Sequence, residues 1–153
     1  MTRNTTETRT YPTRPYLAIS AAIFRGDNRV LIVRRAHPPV RGLYTLPGGA
    51  VELGETLEQA VIREVREETG LEVKPVALAG HREVLARDAA GRLERHFVIL
   101  AFAARLITGE VSLDEELAEA HWLEPEDVSG LATTDGLADI VAAARERISA
   151  KSY

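Results

Sequence analysis

The chain has 153 residues, of which 45% are hydrophobic and 27% are charged, and its formal net charge is −4. This length suits one domain with its own core, no run reaches the roughly 18 consecutive apolar residues of a membrane helix, and the acidic balance argues against a protein that coats nucleic acid. The chain has no cysteine, which excludes disulfides, thiolate zinc sites and cysteine nucleophiles and agrees with a cytoplasmic location.

The beginning of the chain differs in composition from the rest. Residues 1–15 are polar, with several threonines and arginines and without the apolar segment of a secretory signal. We therefore expect residues 1–15 to form a flexible N-terminal arm. Because no linker or repeat follows, we expect residues 16–153 to form a single domain.

Alternating strand and turn signals follow the arm. Residues 16–24 are apolar and end at the turn signal Gly26-Asp27-Asn28, and residues 30–33 return as a second strand, which predicts a hairpin. Residues 43–46 predict a short strand, which we expect to end at a turn formed by Pro47-Gly48-Gly49.

A helix is predicted over residues 56–69. Thr56 is a suitable N-cap, Gln59 stands three residues later as its capping-box partner, and Gly70 is a suitable stop.

The second half of the chain predicts more strands. Residues 72–87 indicate one or two strands that lead to a turn at residues 89–91. Residues 96–104 are apolar on both faces, which indicates a strand in the middle of a sheet.

The last segments predict an acidic loop over residues 107–120, a short strand over residues 121–123 and a final helix capped by Thr134. The apolar face of that helix comprises Leu137, Ile140, Val141, Ala144 and Ile148. The order of strands, helix, strands and helix predicts a mixed sheet packed by helices, and hence an α/β or α+β fold.

The first helix carries three closely spaced glutamates, and solvent exposure does not explain two of them. Glu64, Glu67 and Glu68 stand at positions i, i+3 and i+4, so they converge on one patch of surface. Glu64 and Glu68 also fall in the same arc of the helix as the apolar residues of its first turns. The stripe that should face the core therefore becomes acidic in its later turns.

Carboxylates this close repel one another unless positive charge lies between them. Arg63 is one source of such charge, and a divalent cation is another. Oxygen ligands without cysteine or a local histidine favour Mg²⁺ or Mn²⁺ over Zn²⁺. The glycines of Pro47-Gly48-Gly49 permit unusual backbone angles or a close approach to an ion or phosphate, which makes this segment a second wall of the same site.

The segment from Gly49 to Leu71 reads GAVELGETLEQAVIREVREETGL. It resembles the signature of the Nudix hydrolases, G-x5-E-x7-R-E-U-x-E-E-x-G-U with U a bulky aliphatic residue, and it meets every fixed position without an insertion. The resemblance implies an α/β/α sandwich with a mixed sheet. It also implies hydrolysis of the pyrophosphate bond in a nucleoside diphosphate derivative, with Mg²⁺ as cofactor or Mn²⁺ in its place.

The resemblance also assigns roles within the motif. Glu64, Glu67 and Glu68 would bind the metal or activate water, Arg63 would orient a glutamate, and Glu55 would support the loop around the helix. The Gly48 carbonyl would be a further metal ligand, and Gly49 would face the substrate.

Outside the motif, the resemblance implies a further catalytic and metal-binding carboxylate in a loop after the central strands. Glu116 is our candidate, with Glu115 or Glu119 as alternatives. It also implies a phosphate-binding arginine after the second strand. Arg34 and Arg35 both stand there, and because strand residues alternate between faces, only one should reach the site.

Other residues are weaker candidates. Exposed or structural roles are favoured for Arg41, Arg82, Arg95 and His96, although Arg82 is also a candidate substrate-binding residue. Trp122 or Tyr44 could stack on a base, although core packing is the favoured role for both.

The substrate is less well defined than the family. Leu46-Pro47-Gly48-Gly49 and residues 96–100 favour the resemblance to small bacterial ADP-ribose pyrophosphatases, although Arg87 stands where those enzymes often have a proline. ADP-ribose or a nucleotide sugar is therefore preferred, and nucleoside triphosphate hydrolysis is the alternative.

A module that senses nucleotides without hydrolysis is a third interpretation, which the complete motif disfavours. The lack of cysteine disfavours isoprenoid isomerisation, and the net charge disfavours RNA decapping. We expect a small-molecule partner, no membrane and no stable nucleic-acid partner, and a homodimer remains open.

Overall fold

The computed structural model describes residues 9–38 and 40–151. The predicted hairpin is confirmed: β1 (Tyr16–Phe24) and β2 (Val30–Arg35) run antiparallel, and Phe24 pairs with Val30. Most of the predicted flexible arm, residues 1–8, lies outside the described residues.

The mixed sheet is confirmed. The other strands are β3 (Tyr44–Thr45), β4 (Gly48–Ala50), β5 (Glu72–Arg87), β6 (Leu93–Thr108) and β7 (Leu117–Leu123). The strand order is β3-β2-β1-β6-β5, with β4 paired to β1 and β7 paired to β2. Strands β1 and β6 are parallel, and the other pairs are antiparallel. The predicted central strand, β6, lies between β1 and β5.

Helix α1 (Leu57–Thr69) has the predicted ends. The Thr56 hydroxyl accepts a hydrogen bond from Gln59 N at 3.1 Å, and the Gln59 side chain accepts one from Thr56 N at 2.9 Å. Gly70 closes the helix in the left-handed conformation with φ 75°. This cap places the glutamates of the last turns at a defined position, because both helix ends are fixed by local contacts.

Two predictions about the second half were wrong. Strand β7 starts at Leu117, so the predicted acidic loop is shorter than expected, because residues 117–120 pair with β2. A 3₁₀ helix, Pro125–Gly130, precedes α2 (Leu137–Ala150). The N-cap of α2 is Gly136 rather than Thr134, whose buried hydroxyl lies 3.0 Å from Thr45 Oγ1.

The two α-helices cover opposite faces of the sheet. Along β1, Ile19, Ala21 and Ile23 belong to the core cluster under α1, whereas Ala22 and Phe24 belong to the cluster under α2. The alternation of strand side chains separates the two cores. The predicted apolar face of α2 is confirmed, with Leu137, Val141, Ala144 and Ile148 buried and Ile140 partly buried. Among the described residues, no helix is long and apolar enough to cross a membrane.

Candidate active site

A cavity of about 300 Å³ extends from the last turns of α1 to the β5–β6 hairpin. Glu64 and Glu68 line it on the α1 side, and Gly48 and Gly49 line it from β4. The prediction of a turn at Pro47-Gly48-Gly49 was wrong, because Gly48–Ala50 forms a strand that pairs with residues 18–20 of β1.

The two glycines are required by close approach rather than by unusual backbone angles, since neither has a positive φ. A Cβ on Gly48 would lie 2.1 Å from the Ile19 carbonyl oxygen, and a Cβ on Gly49 would lie 2.5 Å from the carboxyl carbon of Glu64. The absence of side chains here lets β4 pack against both β1 and the acidic end of α1.

Glu68 is buried, with 1% of its surface exposed. Its Oε1 accepts a hydrogen bond from Gly48 N at 2.8 Å, and its Oε2 accepts one from Arg35 Nη1 at 2.8 Å. Burial raises the pKa of Glu68 to about 7, although the Arg35 charge and the Gly48 N–H act in the opposite direction. The carboxyl group therefore exchanges its proton near neutral pH in the absence of a further cation.

Arg63 connects the acidic residues to the loop before α1. Its Nε and Nη2 donate to Glu55 at 2.6 and 2.9 Å, its Nη1 donates to Glu64 Oε1 at 2.9 Å, and its Nη2 also donates to the Ala50 carbonyl at 3.0 Å. The bond from Arg63 is the main cause that lowers the pKa of Glu55. The bidentate pair fixes the Arg63 and Glu55 side chains. The bond from Arg63 Nη1 then holds Glu64, itself 3% exposed, against Gly49.

Glu67 differs from the two buried glutamates. Its side chain is 35% exposed, and Arg63 Nη1 donates to its Oε2 at 3.3 Å. It therefore lies at the solvent side of the same cluster, where it can reorient more freely than Glu64 or Glu68.

The donor atoms at this end of the cavity suit a hard divalent cation, because they are carboxylate oxygens and the Gly48 carbonyl. Among the described residues, no three Asp, Glu or His side chains are drawn together closely enough to hold a metal ion. The positive charge beside the glutamates comes instead from Arg63 and from Arg35, whose Nη2 lies 3.5 Å from the Gly48 carbonyl oxygen. The type of donor atom therefore suits a divalent cation. In this structure, however, the carboxylates are oriented toward Arg35 and Arg63.

The side chains of the two arginines at the end of β2 contact different parts of the molecule, as the alternation of strand side chains between faces predicts. Arg35 contacts Glu68 and lines the cavity. Arg34 Nε donates to Glu119 Oε2 at 3.0 Å, and the Tyr44 hydroxyl donates to the same oxygen at 2.7 Å. The structure thus brings Arg35, and not Arg34, to the site. Glu119 binds Arg34 and Tyr44 instead.

Of the three acidic candidates after β6, Glu116 lines the cavity, whereas Glu115 and Glu119 do not. The Glu115 carbonyl lies 2.9 Å from His37 Nε2, and the Ala36 N–H donates to the Glu116 carbonyl at 3.0 Å. These contacts join the loop before β7 to the end of β2 and place Glu116 at the cavity wall.

The remaining candidates fall into two groups. Arg82 and Arg95 line the cavity from β5 and β6, whereas Arg41, His96, Tyr44 and Trp122 do not. Trp122 packs partly buried against the core under α1, with the Arg25 guanidinium 4.9 Å from its ring centroid, so it has the core role that the sequence favours.

Several cavity residues carry no sequence signal that would distinguish them from ordinary core or surface positions. They are Arg9, Thr45, Phe97, Ile99, Thr134 and Asp135. Only the pairing of distant strands brings them together.

The mixed sheet between α1 and α2 defines an α+β fold. The acidic end of α1, buried against Gly48 and Gly49 of β4, defines an enzyme site whose candidate metal ligands are all oxygen atoms. A NUDIX domain model matches residues 14–145, and the chain therefore belongs to the Nudix family of pyrophosphate hydrolases.

Relatives with assigned names agree with this family. The chain is 36% identical over 118 residues to an ADP-ribose pyrophosphatase of Methanocaldococcus jannaschii, covering 77% of this chain and 67% of that protein. It is 34% identical over 120 residues to a MutT-like protein of Streptomyces ambofaciens, covering 78% and 71%. It is 37% identical over 130 residues to the NAD-capped RNA hydrolase NudC of Vibrio vulnificus, with 84% of this chain and 45% of that protein covered. The chain thus spans less than half the length of that last relative.

Solved structures share the fold. A MutT Nudix hydrolase of Burkholderia pseudomallei superimposes with a TM-score of 0.73 at 27% identity, covering 85% of this chain and 98% of that one. The Nudix domain of Shewanella oneidensis NrtR in complex with ADP ribose has a TM-score of 0.67 at 25% identity, covering 89% and 90%.

Proposed function

We propose that this protein hydrolyses the pyrophosphate bond of a nucleoside diphosphate derivative, with ADP-ribose or a nucleotide sugar preferred and Mg²⁺ as the cofactor. The observation that carries the proposal is the burial of Glu64 and Glu68 beside Gly48 and Gly49 at one end of the cavity. Burying carboxyl groups costs stability unless they are paired, and groups buried in this way cluster at functional sites. The 36% identity to an ADP-ribose pyrophosphatase and the likeness to a domain in complex with ADP ribose support this substrate class.

The site residues have separate roles in metal binding and phosphate binding. Glu64, Glu67, Glu68 and the Gly48 carbonyl would hold the cation, with Glu116 as a further ligand from the loop before β7. When bound, a divalent cation neutralises phosphate charge and lowers the pKa of a water molecule. Arg35, one of the positive groups at this end, would bind the phosphate oxygens, while Gly49 leaves room for the Glu64 carboxyl group.

Hydrolysis adds the elements of water across the phosphoanhydride. Water attacks one phosphorus atom, the bond from that phosphorus to the bridging oxygen breaks, and one of the glutamates takes the proton of the attacking water. For ADP-ribose the products are AMP and ribose 5-phosphate. Arg63 is a positioning residue in this scheme, because it holds Glu64 and Glu55 rather than the substrate.

Hydrolysis of nucleoside triphosphates is the second candidate, and the observation in its favour is the 34% identity to a MutT-like protein. The two candidates use the same glutamates, so only the substrate distinguishes them.

The test is a substrate screen of nucleotide sugars, dinucleoside polyphosphates and (d)NTPs, with products identified by chromatography. We expect ADP-ribose or another nucleotide sugar to have the highest kcat/KM, EDTA to abolish turnover, and Mg²⁺ or Mn²⁺ to restore it. A triphosphate with a higher kcat/KM would favour the second candidate. Turnover that persists in EDTA would contradict the proposed cofactor, and no turnover of any compound with Mg²⁺ would favour a binding module.

A further inference from the structure

The end of the cavity away from the glutamates is lined by arginines. Arg82 on β5 and Arg95 on β6 line it, and Arg9 lines it from the segment before β1. Among the described residues, none of these three arginines makes an ion pair or a side-chain hydrogen bond. Arginine remains protonated in proteins, so three positive charges face one cavity without a bound carboxylate in this part of the chain.

These arginines surround an apolar floor. Arg82 pairs with Ile99 and Val84 pairs with Phe97 across the β5–β6 hairpin, and Arg95 stands two residues before Phe97 on the same strand. Residues two apart on a strand share a face, so Phe97, Ile99 and Val84 form the floor between the two arginines. An apolar surface formed by three side chains suits a nucleobase or a ribose face.

The segment that carries Arg9 is held on this hairpin by Tyr11. Tyr11 N donates to the Glu94 carbonyl at 2.8 Å, and the Tyr11 hydroxyl donates to Asp88 Oδ2 at 2.7 Å. The Arg92 guanidinium lies 4.5 Å from the centroid of the Tyr11 ring. These contacts anchor the chain two residues from Arg9, so its position beside the hairpin is part of the fold.

The backbone of Arg82 lies away from the acidic end of the cavity. Arg82 stands in one row with Ile99, Ala18 and Ala50 across β5, β6, β1 and β4. Three interstrand spacings of about 4.8 Å separate the backbones of Arg82 and Ala50 by roughly 14 Å. A pyrophosphate group is much shorter than this. Arg82 therefore extends from a backbone position on the far side of the cavity from β4, where a more distant part of the substrate would lie.

We propose that the site formed by Arg9, Arg82 and Arg95 binds a second phosphate group, attached to the ribose of the nucleoside beyond the pyrophosphate. The proposal rests on the proposed function and narrows its substrate to nucleoside diphosphate derivatives with a phosphorylated ribose. A guanidinium donates several hydrogen bonds in a plane that matches a phosphate. An uncharged ribose would leave these three positive charges uncompensated.

The direct test is a binding experiment that does not depend on hydrolysis. Adenosine 2′,5′-bisphosphate, adenosine 3′,5′-bisphosphate and AMP are titrated calorimetrically into the protein in EDTA at one ionic strength. We expect one of the bisphosphates to bind roughly tenfold or more tightly than AMP, the size of effect that a charge-assisted hydrogen bond produces. Arg82→Ala, Arg95→Ala and Arg9→Ala should each reduce that ratio severalfold.

Arg87→Ala is the matched control. Arg87 lies on the same strand as Arg82, is exposed, does not line the cavity, and donates only to the Gly91 carbonyl at 3.1 Å. Its removal takes one positive charge from the hairpin and should leave the affinity ratio unchanged. A ratio near one in the unaltered protein, or arginine variants that weaken AMP and bisphosphate equally, would overturn the proposal, because the arginines would then contact the base or the first phosphate.

Hydrolysis separates the two proposals. kcat/KM is compared for ADP-ribose and for ADP-ribose phosphorylated at the ribose hydroxyl, 2′ or 3′, whose bisphosphate bound more tightly in the calorimetric test. Both compounds are measured with the unaltered protein and with Arg95→Ala. We expect the phosphorylated compound to be preferred and to lose severalfold more than ADP-ribose in the variant. Equal kcat/KM values would overturn the phosphate site and leave the proposed function intact. A bisphosphate preference in the binding test without hydrolysis of either compound would support the phosphate site and contradict the proposed function.

Discussion

At the scale of single residues, the three glutamates in the last turns of α1, Glu64, Glu67 and Glu68, have different surroundings although they stand within five positions. Glu64 and Glu68 are buried beside the glycines of β4, while the side chain of Glu67 is 35% exposed. A buried carboxylate is held by its neighbours, whereas an exposed one can move toward a ligand. The two kinds of glutamate should therefore respond differently to substitution.

Glu67→Gln should lower kcat by roughly 100-fold or more, because an amide removes one negative charge from the site and cannot accept a proton. The free energy of unfolding should change little, since the Glu67 side chain is 35% exposed. Steady-state kinetics and a urea titration measure the two effects. Glu58→Gln, on the exposed first turn of the same helix, is the control with normal turnover. Turnover near that of the control would remove Glu67 from the site.

Glu68 should make stability depend on pH. Its pKa is about 7 in the fold against 4.5 in the unfolded chain, so the folded protein binds this proton more tightly. The resulting stability is complete below pH 4.5 and is lost as pH rises through 7. At 1.36 kcal/mol per pKa unit the loss is about 3 kcal/mol.

Glu68→Gln cannot ionise, so in EDTA the variant should be more stable than the unaltered protein at pH 8 and about equally stable at pH 5. Urea titrations at both values test this. Parallel pH profiles for the two proteins would show that the Glu68 carboxyl is not the group responsible.

At the scale of elements, β4 joins the two parts of the site. It pairs with β1 on one side and packs against the acidic end of α1 on the other. Gly48 lies against the Ile19 backbone, whereas Gly49 lies against the Glu64 side chain. Substitution by alanine should therefore have different effects at these two adjacent positions.

Gly48→Ala should destabilise the protein by about 3 kcal/mol, because its Cβ would meet the Ile19 carbonyl oxygen, which can move only with the β1 backbone. Gly49→Ala should destabilise less, since its Cβ would displace the Glu64 carboxyl group. Its larger effect should be on kcat, which we expect to fall at least tenfold. Thermal unfolding and kinetics of both variants are compared. A Gly49→Ala protein with normal kcat would show that the position of Glu64 is not important for turnover.

At the scale of the whole molecule, the sheet connects an acidic site at one end of the cavity with an arginine site at the other. Arg35 and Arg63 balance part of the acidic charge within the protein. A divalent cation would add to that balance only in the folded state, because the glutamates and the Gly48 carbonyl come together only when α1 packs against β4.

Mg²⁺ should therefore raise the melting temperature by roughly 5 °C or more when its concentration exceeds the dissociation constant about a hundredfold. Differential scanning calorimetry in EDTA and in excess MgCl₂ measures the shift, with NaCl at the same ionic strength as a control. Glu64→Gln should reduce the shift. A shift that is equal in both proteins would place the ion elsewhere.

Much of the acidic site was predictable because its signals are local. The cap at Thr56, the stop at Gly70 and the spacing of Glu64, Glu67 and Glu68 all lie within one helix, where geometry follows from residue separation. The conflict between a core-facing stripe and its carboxylates predicted burial of Glu64 and Glu68, which the structure confirms. The alternation of β2 predicted that only one of Arg34 and Arg35 would reach the site.

The amino-acid sequence was enough to predict the family motif, the acidic helix and the α+β class, because these follow from residue spacing, periodicity and the order of the elements. The folded structure was needed to show that Gly48 and Gly49 lie in a strand, that Arg35 is the arginine beside Glu68, and that Arg9, Arg82 and Arg95 line one cavity. Each of these depends on pairing between segments far apart in the chain, and no local pattern specifies which of two adjacent side chains will face a distant partner.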